Sequence, residues 1–139
     1  MTSQTRISRR LVLQAGAAAT ALGAPGLLLA QPAPIKMGLI HPVSGALAYS
    51  GGQGRMGCQM AINEINAAGG IKALGGAKLK LVVLDSGDTT EKAKNAAQRM
   101  VAQETDMVAA TGAYLSSFTL AATEVTERAK LPMLTMSYS

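Results

Sequence analysis

The stretch from Ser44 to Asp85 constrains the fold of this chain more than any other part of its 139 residues. It contains, in order, a glycine-rich segment, an amphipathic helical pattern, a double glycine and a continuous apolar run. The glycine-rich segment is too long and too polar to be only a connector. It also stands where α/β proteins place their ligands, between a strand pattern and a helix pattern.

Hydrophobic periodicity predicts that strands and helices alternate along residues 35–139. Four short apolar runs predict strands at 35–40, 79–84, 107–111 and 131–135. Helices are predicted over 55–68, after Asp88 and after Ser116 or Ser117. This alternation with short joints predicts a doubly wound parallel α/β sheet with right-handed crossovers. The run at 79–84 is uninterrupted, which predicts a strand covered on both faces.

The helical patterns also predict buried faces and ends. Gly69 and Gly70 are expected to end the first helix, and Asp88 to cap the second with Glu91 as its capping-box partner. The predicted inner face of the first helix is Cys58, Ala61, Ile62, Ile65 and Ala68, with Gln59, Asn63, Glu64 and Asn66 on the polar side. The predicted inner faces of the others are Ala93, Ala96, Ala97, Met100 and Val101, and then Phe118, Ala121, Ala122, Val125 and Ala129.

The first thirty residues have the pattern of an export signal. Arg9 and Arg10 stand directly before about twenty uncharged residues that end near Ala30. The apolar middle is rich in alanine and glycine, and the arginine pair resembles the twin-arginine motif. The alternative is an uncleaved membrane anchor, because the run is nearly long enough to span a bilayer. We predict a signal at 1–30 cleaved after Ala30, a linker at 31–34 and a periplasmic location.

Charge and aromatic content argue against a nucleic-acid partner. The formal charge of +5 falls to +2 without 1–30, because 13 basic residues become 10 against 8 acidic ones. The remaining basic residues are scattered, and aromatic residues make up only 3% of the chain. A base-stacking surface needs more of both, so we expect no nucleic acid.

About 109 residues follow the predicted signal. That length suffices for one small domain. The sequence ends just after the fourth predicted strand, with no helix to cover it. We therefore expect 35–139 to be the incomplete first lobe of a longer protein.

Polar residues concentrate at the predicted strand-to-helix joints, which in a parallel sheet lie together at the carboxyl edge. Ser116 and Ser117 place two hydroxyls at a helix N-terminus, where unpaired backbone N–H groups and the helix dipole attract an anion such as a carboxylate. The alternative is that both serines only cap the helix. Ser137 and Ser139, at the end of the neighbouring strand, would add acceptors for an ammonium or amide group.

Three segments carry a family resemblance: SGALAYSGGQGRMGCQMAINEINAAGGIK, LVVLDSGDTTEKAKNAAQRMV and TGAYLSSFTLAATEVTERAKLPMLTMSYS. Over essentially all of 35–139 the chain resembles the first lobe of periplasmic solute-binding proteins of the leucine/isoleucine/valine-binding type. AINEINAAGGIK is the most specific part. The resemblance implies a two-lobed, monomeric protein that closes on a small solute and delivers it to the membrane permease of an ABC importer, with no cofactor, metal or enzymatic step.

The resemblance also implies binding roles for particular residues. In this family the joint after the third strand holds the carboxylate and amino group of the ligand, which corresponds here to Ser116 with Tyr114 and Leu115 beside it. The stretch after the fourth strand adds main-chain and hydroxyl contacts, which corresponds to Ser137 and Ser139.

The first joint departs from the family pattern. Where relatives often present a large side chain to the ligand, this chain has Ser50, with Tyr49 adjacent. The best-known members also hold this lobe with a disulfide, which the single cysteine, Cys58, cannot form. The predicted ligand is therefore an amino acid or amide-like solute, with a branched-chain amino acid as one candidate.

Two other classes of protein fit parts of the sequence. The residues from Gly52 to Gly57 match the GxGxxG dinucleotide fingerprint, and Asp85 matches its ribose-binding acid. The fingerprint needs its turn directly after a strand, however, and a dozen residues intervene. A ligand-sensing receptor domain of the same fold is the other alternative.

No catalytic constellation is recognisable. His41 has no carboxylate or nucleophile spaced to partner it, so we interpret it as a structural or solvated loop residue rather than a base. Cys58 is interpreted as a small buried core residue rather than a nucleophile. Asp85 and Asp88 are interpreted as helix-capping residues rather than metal ligands.

Overall fold

The computed structural model describes residues 31–135 and 137, so the predicted signal at 1–30 lies outside the described part. Strands and helices alternate there in the predicted order. The strands are β1 (Ile35–His41), β2 (Leu79–Asp85), β3 (Met107–Gly112) and β4 (Met133–Leu134), and the helices are α1 (Ala48–Ala67), α2 (Thr90–Gln103) and α3 (Ser116–Arg128). Short 3-10 turns occupy Gly45–Leu47 and Lys72–Leu74.

The strands form one parallel sheet in the order β2-β1-β3-β4. On one side β1 pairs with β2, from Ile35 opposite Leu79 to His41 opposite Asp85, and on its other side it pairs with β3. After β2 the chain returns across β1 to form β3, so the strand order reverses between β1 and β3. The predicted doubly wound parallel α/β fold is confirmed, and the crevice outside the carboxyl ends of β1 and β3 is its topological switch point.

The hydrophobic core lies mainly on one face of this sheet, where α2 and α3 pack against each other. Ile40 of β1, Met100 of α2 and Phe118 of α3 are buried together there, joined by a set of alanines. Alternation along β1 points the neighbouring Leu39 to the opposite face, where α1 covers β1 and β2 with Ile62. The carboxyl end of β1, where the candidate site lies, is therefore buried on both faces of the sheet.

The buried faces follow the predicted patterns closely in α2 and less closely in α1. Ala93, Ala96, Ala97 and Met100 are all buried. In α1, Ile62 is buried, but Ala61, Ile65 and Ala68 of its predicted inner face are exposed. The predicted inner face of α3 also extends too far, because Ala129 is exposed.

Strand β2 also differs from its prediction. It forms an edge of the sheet among the described residues, and none of its residues is fully buried. Val83 is 37% exposed. The prediction of a strand covered on both faces is therefore wrong, because an apolar run does not distinguish an edge strand from a central one.

The helix ends agree only in part with their predictions. Gly69 and Gly70 adopt positive φ and end α1 as expected, with the Gly70 N–H donating to the Ile65 carbonyl at 2.9 Å. Asp88 does not cap α2; instead the Thr89 hydroxyl accepts from the Lys92 N–H at 3.2 Å. Helix α1 begins at Ala48, seven residues before the predicted start, so half of the expected glycine-rich loop is helical.

Candidate functional site

The loop after β1 is organised by the carboxylate of Asp85. Its Oδ1 accepts from the Val43 N–H at 3.0 Å and from the Gly87 N–H at 2.8 Å, and its Oδ2 accepts from the Ser44 hydroxyl. Burial opposes ionisation of Asp85, but these hydrogen bonds outweigh it and lower the pKa of the carboxyl below its usual value. Asp85 thus connects the loop after β1 with the loop after β2, and both of its carboxylate oxygens accept the hydrogen bonds that join them.

Two glycines allow α1 to pass close over the end of β1. A Cβ on Gly51 would lie 1.8 Å from the Pro42 carbonyl oxygen, and a Cβ on Gly54 would lie 2.9 Å from the His41 ring. Both glycines lie inside α1. The GxGxxG match therefore lacks the strand-to-helix turn that a dinucleotide site requires. Of its three glycines only Gly54 serves helix packing, because a Cβ on Gly52 or Gly57 would meet no atom within 4 Å.

A cleft of about 360 Å³ lies at the switch point between β1 and β3. The last residue of β1, the last two of β3, one face of α1 and the joint before α3 form its lining, which consists of His41, Ser50, Gly54, Cys58, Thr111, Gly112 and Tyr114. The lining contains aromatic rings, small side chains and a few hydrogen-bonding groups. A cleft of this size and composition suits a small organic solute.

Among the predicted site residues, the structure brings Ser50 and Tyr114 into this cleft. Tyr114 has φ of +80°, a backbone conformation that residues other than glycine rarely adopt. Its ring lies 6.0 Å from the His41 ring between centroids, tilted by 53°. Backbone strain of this kind concentrates where a side chain is held for a binding function.

The predicted anion site at the start of α3 differs in detail from the expectation. The cap position is Leu115, which packs against the core, and no side chain caps the helix. Ser116 and Ser117 are instead the first two helical residues, with Ser116 partly buried and Ser117 exposed. The capping role considered for these serines is therefore wrong, and the first backbone N–H groups of α3 are not engaged by a capping side chain.

Tyr49 and Ser137 do not line the cleft. Tyr49 is 81% exposed and lines a separate depression with Gln53 and Met56. Ser137 is partly buried, beyond the end of β4. Ser139 lies outside the described residues, so its binding role stays a prediction.

Sequence reasoning misses five of the seven lining residues and gives two of them, His41 and Cys58, a different role. It assigns His41 to a structural or loop role and Cys58 to the core, yet both line the cleft and Cys58 is only partly buried. The spacing of Ser50, Gly54 and Cys58 contains the missing indication, because positions four apart share one face of a helix. A helix that begins at Ala48 places that face at the site.

Burial shapes the chemistry of the two titratable groups in the cleft. It lowers the pKa of the His41 imidazole, which is therefore neutral at pH 7, and it raises the pKa of the Cys58 thiol. The Nδ1 atom of His41 is buried and has no hydrogen-bond partner among the described residues. A neutral imidazole beside a protonated thiol gives the cleft hydrogen-bonding groups without a formal charge.

A larger depression of about 540 Å³ lies outside β2, between Ser44, Lys92 and Arg99. Two of its charged groups are already engaged, because Lys92 Nζ lies 2.8 Å from Asp88 Oδ1 and the Asp85 carboxylate holds the loops together, whereas Arg99 makes only a 3.5 Å contact to the Asp85 carbonyl oxygen. It stands away from the β1–β3 switch point. The smaller cleft is therefore the better candidate for a ligand site.

The fold is a parallel α/β sheet with a cleft at its switch point, and sequence comparison identifies its family. Residues 34–139 match the family described as periplasmic binding protein. The chain belongs to this family. Within residues 31–135 and 137, the structure contains no helix with the length and apolar character that crossing a bilayer requires.

Individual relatives agree with this assignment. The chain is 35% identical over 133 residues to Leu/Ile/Val-binding protein homolog 8 of Brucella abortus (strain 2308), and the match covers 94% of this chain and 30% of that protein. Identity is 38% over 109 residues to Leu/Ile/Val-binding protein homolog 7 of Brucella melitensis, covering 76% of this chain and 26% of that protein. The chain thus spans about 30% of the length of the first of these relatives.

A solved structure shows the same fold. The branched-chain amino acid transporter substrate binding protein LivJ of Streptococcus pneumoniae, in complex with isoleucine, superposes with a TM-score of 0.68 at 33% identity. The alignment covers 75% of this chain and 29% of that chain.

Proposed function

We propose that this chain forms the first of two lobes of an extracytoplasmic substrate-binding protein, which binds a small polar solute and delivers it to an ABC importer. The cleft at the β1–β3 switch point carries this proposal, because ligands of open α/β sheets bind at that place. The family membership and the names of the relatives support it. Amino acids and amide-like compounds are the solutes proposed.

The N-terminus of α3 would hold the carboxylate of the solute. Its first turn offers backbone N–H groups with no capping side chain, and the helix dipole favours a negative charge there. The partly buried Ser116 would add its hydroxyl, with Tyr114 and Leu115 shaping the approach. Ser117, Ser137 and Ser139 are proposed as further polar contacts from the same edge.

The first joint would contribute the other side of the pocket. Ser50 lines the cleft, whereas Tyr49 is exposed and does not line it. We propose that Tyr49 contacts the solute only when the second lobe closes over this surface. With a small serine at this position, the cleft has room for a solute that is bulkier or more polar than an aliphatic amino acid.

Closure of a second lobe would complete the site. The cleft described here is open to solvent on one side, so contacts from one lobe alone leave much of a bound solute exposed to water. A solute that touches both lobes stabilises the closed form by the difference between its affinities for the two forms. The lobe alone is therefore expected to bind weakly.

The location and partners follow from the same proposal. We propose that 1–30 is an export signal of the twin-arginine type, that 31–34 is a linker and that the mature protein works in the periplasm. The partner would be the membrane permease of the importer, and the protein would act as a monomer. Expression of the chain with Arg9 and Arg10 replaced by lysines would test export, since the uncleaved precursor should then stay inside the cell and little mature form should appear.

The function is tested with the full-length protein. Its melting temperature is measured with amino acids, amides, ureas, aromatic acids and NAD, because a ligand that binds only the folded state raises it by mass action. At least one amino acid, amide, urea or aromatic acid should raise the melting temperature and reduce the radius of gyration of the protein in solution scattering. That solute should be recovered chemically unchanged. Tight binding of NAD, or chemical conversion of the solute, would contradict the proposal.

A further inference from the structure

The imidazole of His41 is an unusual group in the floor of the cleft. The ring lines the cleft, but its Nδ1 atom is buried and has no hydrogen-bond partner among the described residues. A buried polar atom without a partner is uncommon in a folded protein and calls for a physical explanation. Burial also lowers the pKa of this imidazole, so the ring is neutral and carries one proton.

The surroundings of Gly54 indicate which nitrogen the ring presents to the cleft. A Cβ on Gly54 would stand 2.9 Å from Cε1 and 3.0 Å from Nε2 of His41, but 3.6 Å from Nδ1. Gly54 of α1 therefore packs against the Cε1–Nε2 edge, and a side chain at this position would close that edge off from the cleft, which both residues line. Within the described part of the chain Nδ1 is buried without a partner and Nε2 is not, so we take Nε2 as the nitrogen that a solute can reach.

The enclosed Nδ1 also determines where the single proton resides. An N–H group buried without an acceptor costs more than a buried lone pair without a donor. The favoured tautomer therefore carries its proton on Nε2. The ring of Tyr114 is the neighbouring aromatic group, 6.0 Å away between centroids and tilted by 53°.

We propose that His41 donates its Nε2–H to the bound solute and selects solutes with a hydrogen-bond acceptor beyond the carboxylate held at α3. This inference rests on the proposed function and narrows its substrate class. A hydroxyl, an amide carbonyl or a second carboxylate on the distal part of the solute would accept this bond. An aliphatic amino acid would remove water from Nε2–H and give it no partner.

The size of that penalty makes the selection measurable. An unpaired buried hydrogen-bonding group typically weakens binding by about tenfold or more. Sites built to hydrogen-bond a solute group reject analogues without that group more strongly than apolar pockets reject an extra methylene. We therefore expect this protein to differ in specificity from relatives named for leucine, isoleucine and valine binding.

Pairs of solutes with nearly equal shape test the inference in the full-length protein. Affinities are measured by calorimetry for threonine against valine, asparagine against leucine, tyrosine against phenylalanine, and 4-hydroxybenzoate against benzoate. The polar member of the pair that fits the cleft should bind about tenfold more tightly or better. Equal or tighter binding of the apolar member would overturn the inference.

Two substitutions at His41 then assign the effect to Nε2. His41→Gln places an amide N–H near the Nε2 position and should keep the preference, whereas His41→Phe keeps a ring without nitrogens and should bring the two affinities within about threefold of each other. Circular dichroism and urea unfolding check that both variants fold. A preference that persists in His41→Phe overturns this inference and leaves the proposed function intact, whereas a wild-type protein that binds none of the solutes overturns both.

Discussion

The side-chain amide of Asn66, at the end of α1, pairs with the backbone of Leu79 at the start of β2 as a neighbouring strand would. Its Nδ2 donates to the Leu79 carbonyl oxygen and its Oδ1 accepts from the Leu79 N–H, both at 2.8 Å. The first residue of an edge strand thus obtains two hydrogen bonds that no neighbouring strand supplies on that side. The helical pattern predicts Asn66 on the polar outer side, and its partly buried position corrects that expectation.

Replacing Asn66 by alanine should lower the free energy of unfolding by about 1–3 kcal/mol, because both backbone groups of Leu79 lose their partners. Urea unfolding measures the effect. Asn63→Ala is the matched control, since Asn63 is exposed on the same helix and accepts only from Gln59. Equal losses in the two variants would contradict a pairing role for Asn66.

The close approach of α1 to the end of β1 predicts opposite effects for two adjacent glycines. Gly51→Ala should destabilise the protein by about 1–3 kcal/mol, because the new methyl group would collide with the Pro42 carbonyl. A Cβ on Gly52 would meet no atom within 4 Å, so Gly52→Ala should stabilise α1 by about 0.5–1 kcal/mol. Thermal unfolding of the two variants distinguishes them, and a change of the same sign in both would show that α1 packs differently.

Asp85 predicts a particular dependence of stability on pH. Because hydrogen bonds in the folded state outweigh burial and lower the pKa of this carboxyl, its contribution is fully present above its ordinary pKa of 3.8 and is lost as the pH falls through the lower, folded-state value. Asp85→Asn should therefore be less stable than wild type at pH 7, by on the order of 1 kcal/mol, and the difference should shrink towards pH 2.

The measurement is urea unfolding of both proteins at a series of pH values between about 2 and 7, which spans the titration of a carboxyl group. Glu91→Gln, at an exposed position in the first turn of α2, serves as the control for loss of a surface carboxylate. A difference between wild type and Asp85→Asn that stays constant with pH would contradict the hydrogen-bonding role of the ionised carboxylate.

Ser116 predicts an effect on binding rather than on stability. Ser116→Ala should weaken binding of the solute found in the thermal screen by about 1–3 kcal/mol, the cost of an unmade buried hydrogen bond. Thr123→Ala is the control, because Thr123 lies two turns further along α3 and its hydroxyl donates to the Leu120 carbonyl oxygen at 3.0 Å rather than to a solute. Calorimetry on the full-length protein measures the affinity of each variant for the solute. Unchanged affinity in Ser116→Ala would show that Ser116 is not part of the binding site.

Much of the fold could be predicted because its elements are encoded locally. The period of apolar residues locates three strands and two helices to within a few residues, and Gly69 and Gly70 end α1 through their own backbone freedom. The start of α1 is misplaced by the pattern because the glycines between Gly51 and Gly57 are typical of loops. Two of them, Gly51 and Gly54, pack closely against Pro42 and His41, and no local pattern contains that contact.

The candidate site could be predicted in part for the same reason. Parallel strands place every strand-to-helix joint at one edge, and the family resemblance indicates Ser50 and Tyr114 there, both of which line the cleft. The roles of His41 and Cys58 could not, because a lone histidine has no distinguishing spacing, and the four-residue spacing of Ser50, Gly54 and Cys58 is informative only once α1 is known to begin at Ala48. Only the passage of α1 over β1 brings them beside Thr111 and Gly112 in one cleft.

The sequence by itself determined the class of fold, the alternation of its elements and the edge of the sheet at which polar residues gather, because periodicity and turn residues act over short distances. Tertiary structure alone decided which nitrogen of His41 is enclosed, how Asp85 joins two loops and how Asn66 completes an edge strand. Each of these depends on atoms that are distant in the chain and meet only when α1 and the strands pack together.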